Sequence, residues 1–143
     1  MLFCDTSTLA KYYVSEPESD AVRARLDGED HVVLSELARA ELMGVFHRQL
    51  RERRWNRDEF RTVVRQFSAD EGGGYWTWVP LDGGIIEHVV RTYATLPEGV
   101  FLRTADCLHL VTALRHGFTE IHTHDSHQHD GAGSLGLAAV AIV

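Results

Sequence analysis

Leu2-Phe3-Cys4-Asp5-Thr6-Ser7 decides the fold. Three apolar residues run into three that favour helix N-caps, so a short strand ends where a helix begins. The same order recurs along the chain. A β-branched run over His31–Leu34 leads through Ser35 into a long amphipathic helix over Glu36–Arg54, with Ala38, Leu42, Val45, Phe46 and Leu50 on one stripe. Trp76–Leu81 reads as a strand, and Asp82 starts a helix carrying Ile85, Ile86, Val89, Val90 and Tyr93. Thr104 caps a helix that turns Cys107, Leu110, Val111 and Leu114 inward. Glu120–Thr123 and Leu137–Val143 are the remaining strands. Further helices cover Thr6–Val14, Ser19–Leu26 and a stretch capped by Asn56 that Gly72-Gly73-Gly74 breaks. Strands separated by helices pair in parallel. The expected architecture is a three-layer α/β/α sandwich around a short five-stranded parallel sheet, one domain over residues 1–143.

Composition supports a packed core. Of 143 residues 44% are hydrophobic and 24% charged, which argues against disorder. No apolar run approaches the roughly 20 residues that span a bilayer. The start of the chain has neither a basic stretch nor a small-residue cleavage site, so it does not read as a signal peptide. Cys4 and Cys107 read as reduced thiols, and a cytoplasmic location is expected. The net charge of −7 disfavours nucleic acid, but its distribution is uneven. Between Arg39 and Arg65 eight arginines face four acids, leaving the rest of the chain strongly acidic. Lys11 is the only lysine, so the positive charge is nearly all planar guanidinium, suited to phosphate or carboxylate. Arg51, Arg53 and Arg54 are the candidate phosphate contacts, with a solvated helical surface as the plainer reading.

Open parallel sheets hold their sites beyond the carboxyl ends of the strands. Asp5 follows the first strand there, and Asp125 follows the fourth. Either can also be the N-cap of the next helix. Asp106 lies in a first turn, where the macrodipole favours an acid, yet it borders an apolar stripe with Cys107 and Leu110. Glu41, between Leu37 and Val45 on the buried edge of a long helix, is costly there without a partner. Four acids in one pocket repel each other and resist ionisation. A hard cation neutralises such a cluster, and an all-oxygen donor set suits Mg²⁺ or Mn²⁺.

These residues carry a resemblance. Phe3-Cys4-Asp5-Thr6-Ser7-Thr8-Leu9, Ser35-Glu36-Leu37-Ala38-Arg39-Ala40-Glu41-Leu42, Leu102–Ala113 around Asp106, and His122-Thr123-His124-Asp125 followed by Leu135-Gly136-Leu137 resemble, in order, the four motifs of PIN-domain proteins. The likeness covers essentially the whole chain and is strongest to VapC-type toxins. It implies a metal-dependent endoribonuclease with Asp5, Glu41, Asp106 and Asp125 as its catalytic acids. Asp5 and Asp106 would be the main Mg²⁺ ligands, with Mn²⁺ able to substitute, and Thr6 or Ser7 would hydrogen-bond nearby. The implied products carry a 5′-phosphate and a 3′-hydroxyl. The implied partners are RNA, a cognate antitoxin protein that silences the enzyme, and a second copy of the chain. The segment Ser126–Gly131, rich in His and Gly, departs from the plainer helix the family leads one to expect.

Two other readings compete. His122, His124, His127 and His129 are spaced like ligands of a Zn²⁺-dependent hydrolase, or they are surface imidazoles on a mobile loop. A non-catalytic PIN-like binding module would keep the fold and lose the chemistry; the presence of all four acids argues against it. The aromatic residues around Trp55 and Tyr75–Trp78 read as packing or as an interface.

Overall fold

Side-chain alternation along the strands sets the layers. The computed structural model describes residues 1–143. On β1 (Leu2–Phe3) and the adjoining Cys4, Leu2 and Cys4 enter one core and Phe3 the other. On β2 (Val32–Ser35), Val32 and Leu34 enter the first core and Val33 the second. The period of two puts a buried layer on each face of the sheet. The first layer is closed by α1 (Thr6–Tyr13), α2 (Ser19–Asp27), α3 (Leu37–Arg51) and α4 (Arg57–Gly72), through Leu9, Val22, Leu42, Phe46 and Phe67. The second is closed by α5 (Gly83–Thr95), α6 (Thr104–Arg115) and α7 (Ser126–Ala132), through Ile85, Val89, Leu110, Val111 and Ala132. The expected three-layer α/β/α sandwich is therefore present. No helix is long and apolar enough to cross a membrane.

The sheet itself differs in detail. All pairings are parallel, but the five strands form a three-stranded sheet, β1-β2-β3 (β3 is Trp76–Val79), and a two-stranded one of β4 (Glu120–His122) and β5 (Ala138–Val140). One bridge, Cys4 to His122, joins them, and the Asp5 N–H donates to the His122 carbonyl at 3.1 Å. The strands are so short that β1 and β4 overlap at a single position. β5 is shorter than Leu137–Val143 because only three of its residues pair with β4.

Helix ends follow their local chemistry. Asn56 and Glu59 form a reciprocal capping box on α4. α3 stops at Arg51 rather than Arg54, since Arg53 takes a left-handed conformation (φ 59°) that a helix cannot continue. Thr104 is the first residue of α6 and not its cap; Arg103 is the cap, and its side chain is engaged elsewhere.

Candidate functional site

Four chain segments bring four acids towards the end of the sheet where β1 and β4 stop. Asp5 is the N-cap of α1, and its Oδ1 accepts from the Thr8 N–H at 3.1 Å and the Ser7 hydroxyl at 2.7 Å. Its Oδ2 accepts from the Thr123 hydroxyl and the Gln128 amide, both at 2.7 Å. The capping role and the strand-end position thus belong to one carboxylate. Asp5 is only 1% exposed, and burial raises its pKa above the usual 3.8 although His109 and these donors pull the other way.

Asp125 caps α7, accepting at Oδ1 from the His127 and Gln128 N–H groups. Its Oδ2 accepts from Arg103 at 2.7 Å. The same guanidinium forks onto Asp106, at 2.7 Å from Nε and 3.0 Å from one terminal nitrogen. Asp106 is buried and joins α6 to the site. Glu41, on α3, accepts at Oε1 from the Thr6 hydroxyl at 2.7 Å and from His109 Nε2 at 2.5 Å. Burial pushes Glu41 up, but His109, Thr6 and Arg103 together hold it below the ordinary carboxylate value.

A cleft of about 540 Å³ opens above these groups. Glu41, Asp125, Thr6, Ser7, Arg103 and Arg48 are among its lining residues, whereas the buried Asp5 and Asp106 connect to it through their hydrogen bonds to Ser7 and Arg103. Glu41, Gly44, Val45 and Arg48 form one wall, as helical spacing requires. Arg51, Arg53 and Arg54 are not part of that lining. They sit at and beyond the end of α3, about 15 Å along the axis from Glu41 at 1.5 Å per residue. Arg39 pairs with Glu71 at 2.6 Å and stacks on Trp78, so part of the basic stretch is neutralised internally.

The histidine cluster does not assemble. Its segment is helix α7 and not a loop, because Asp125 caps it and Gly131 lets Leu102 approach where a Cβ would meet Cδ1 at 2.7 Å. His122 is buried in β4. His124 contacts the Thr8 hydroxyl and the Ile142 carbonyl, both at 2.9 Å, and His129 bonds the Thr123 carbonyl at 3.0 Å. His127 packs edge-on against Phe101. No three His, Cys, Asp or Glu side chains converge as they stand to hold a metal ion. The four histidine rings are held apart, His122 by burial in β4, His124 and His129 by hydrogen bonds and His127 by packing on Phe101. For the acids, donors within the cluster fill the space, above all the Arg103 guanidinium. That guanidinium is a stand-in cation: two carboxylates from separate elements bracket a place that positive charge already fills. The donor set is all oxygen, as a hard divalent ion requires.

Sequence reading overlooked His109, Gln128, Thr123 and Arg103, and counted Arg48 within the basic stretch without singling it out. His109 and Arg103 lie three residues either side of Asp106, a spacing that brings helical side chains together. Gln128 reaches Asp5 across 123 positions and carries no local signal.

The comparisons agree with this geometry. The PIN domain family model matches residues 2–133. The chain is 31% identical over 145 residues to "Ribonuclease VapC46" of Mycobacterium tuberculosis, covering 98% of this chain and 96% of that protein. In structure it resembles FitAcB from Neisseria gonorrhoeae (TM-score 0.76, 21% identity, 97% and 96% of the two chains). It also resembles Mycobacterium tuberculosis VapC20, described as a sarcin-ricin loop cleaving toxin (TM-score 0.72, 12% identity, 98% of each chain). A toxin-antitoxin complex from Klebsiella pneumoniae is a further neighbour (TM-score 0.68, 18% identity, 100% and 98%). The chain belongs to the PIN domain family, among its VapC-type members.

Proposed function

We propose that the chain is a divalent-metal-dependent endoribonuclease and the toxin of a toxin–antitoxin pair. The observation that carries this reading is that Glu41 and Asp125 line one cleft whose lining residues Ser7 and Arg103 hold the buried Asp5 and Asp106, with a cation already bracketed by Asp106 and Asp125. The 31% identity to a protein named a ribonuclease supports the reaction class. Asp5 and Asp106 would hold Mg²⁺ or Mn²⁺, with Glu41 and Asp125 completing the acidic set. When bound, the ion supplies Lewis-acid activation of water and neutralises charge developing on the phosphate.

The chain's own groups do the rest. Ser7 and Thr123 orient the Asp5 carboxylate through the hydrogen bonds described above. Thr6 and His109 fix Glu41 by Oε1 and keep it ionised, leaving Oε2 as a proton acceptor at the cleft wall. Arg48 lies on the same wall and can pair with an RNA phosphate, offsetting the repulsion of the acids. Single-stranded loops fit an open cleft better than a duplex.

The complexes among the structural neighbours support an antitoxin partner. A homodimer is supported by a stripe on α5, where Ile86, Val90 and Tyr93 are exposed at helical spacing. An exposed apolar stripe of this kind suits an interface. A cytoplasmic site of action fits the reduced, buried Cys4 and Cys107.

The test is cleavage by the purified chain. Structured RNA should be cut with Mg²⁺ to give 5′-phosphate and 3′-hydroxyl ends, and EDTA should stop it. Undiminished cleavage in EDTA, or 2′,3′-cyclic phosphate ends, would overturn the reading.

A further inference from the structure

We infer that Arg103 is an exchangeable cation of the acidic site. Its guanidinium holds Asp106 and Asp125 together, and this fork and a bound divalent ion exclude one another. This rests on the proposed metal site and concerns how that site is kept ready.

The geometry carries the argument. Asp106 is 4% exposed and donates no charge relief of its own; both of its oxygens are taken by the Arg103 guanidinium. One terminal nitrogen of that guanidinium also reaches Asp125 Oδ2, so a single planar group ties α6 to the start of α7. Charge-assisted, bidentate pairs of this type are the stronger ion pairs and fix orientation. Without a cation, two carboxylates so close would repel and turn apart. A metal ion that takes oxygens of Asp106 and Asp125 must take those that Arg103 now occupies. Positive charge cannot be added beside the guanidinium without repulsion, so exchange is the accessible route.

Arg103 is built to leave. Its side chain is 49% exposed while that of Asp106 is 6% exposed. It stands at the N-cap position of α6, where its carbonyl accepts the Cys107 N–H at 3.0 Å but its side chain caps nothing, and it already joins the lining of the cleft. Rotation about its side-chain bonds therefore releases the carboxylates without disturbing the helix. Glu41 and Asp5 have separate partners and stay in place when it moves. Arg103 is thus a positioning residue, acting through the two aspartates.

Mn²⁺ binding to the EDTA-stripped protein, measured by calorimetry, tests this directly. Arg103→Gln should bind Mn²⁺ about tenfold more tightly than wild type, the factor that about 1.4 kcal/mol of competing ion pair makes in a dissociation constant. Arg103→Lys, which keeps the charge without the fork, should fall between them. The metal-free Arg103→Gln protein should retain its near-ultraviolet circular dichroism, since the replaced side chain is half exposed. Raising the salt concentration should narrow the difference, because it screens a partly exposed pair. Equal or weaker Mn²⁺ binding by folded Arg103→Gln would overturn the exchange while leaving the metal site standing. Absence of Mn²⁺ binding in all three proteins would remove both.

Discussion

Asp5→Asn separates a cap from a metal-site carboxylate by the pH dependence of stability. Both oxygens of Asp5 accept two hydrogen bonds, from Ser7 and Thr8 on one side and from Thr123 and Gln128 on the other. Asparagine keeps an oxygen on one side only. With that oxygen towards Ser7 and Thr8 the cap survives, and the new amide faces Thr123 and Gln128. Gln128 Oε1 is buried without a partner, so flipping that side chain turns one opposed pair into a hydrogen bond. The net loss is about one buried hydrogen bond, or about 1 kcal/mol. Against it stands the charge. Burial raises the pKa of Asp5 in the folded chain above its ordinary 3.8, so the folded state keeps the proton to higher pH than the unfolded state. Ionised Asp5 therefore opposes folding increasingly as pH rises above that value, and the penalty is complete above the folded-state value. A tenfold difference in proton affinity between the folded and unfolded states corresponds to about 1.4 kcal/mol. In EDTA, the variant should melt below wild type at pH 4, by about 3 °C for a chain of this size. It should recover that deficit, or reverse it, by pH 8. Thermal melts followed by circular dichroism at the two pH values read the difference. A deficit that stays constant or widens with pH would mean that ionised Asp5 stabilises the fold, and the reasoning would fail.

Three further outcomes are expected. Arg48→Gln should weaken RNA binding and reduce its salt dependence by about one phosphate contact, whereas Gln at Arg51, Arg53 and Arg54 together should change both less; filter binding across a salt series distinguishes them. Gly131→Ala should cost about 1–3 kcal/mol in urea unfolding, because its Cβ would meet Leu102 Cδ1 at 2.7 Å, and Leu102→Ala in the same chain should recover part of the loss made by the clash. Val90→Glu on the exposed α5 face should shift the protein to monomer in light scattering, leaving its melting temperature at low concentration within a few degrees of wild type.

What the sequence revealed and what it hid follow from distance along the chain. Leu2 to Thr6 holds both the alternation that fills two cores and the cap that starts α1, so the layers and the place of Asp5 were legible from a few neighbouring residues. Glu41 was suspect because an acid on a buried helix edge needs a partner, and that partner proved to be His109. The division of the sheet was not legible. It depends on β1 and β4 meeting at one bridge, and strand signals do not report overlap. The sign and number of charges in the basic stretch do not report which helical turn faces a cleft. Arg48 shares a face with Glu41, seven residues away, while Arg51, Arg53 and Arg54 lie beyond that face. The His and Gly content of α7 suggested a loop because its cap, Asp125, and its close packing on Leu102 are tertiary facts.

The central claim is that the four carboxylates hold a divalent ion. Anomalous diffraction from crystals of the protein equilibrated with Mn²⁺ tests it most directly. The account predicts a peak among Asp5, Glu41, Asp106 and Asp125, with Arg103 turned into the cleft, and no such peak in crystals of Asp106→Asn. An empty carboxylate site with Arg103 still bridging Asp106 and Asp125, or density only at the histidines between His122 and His129, would contradict it.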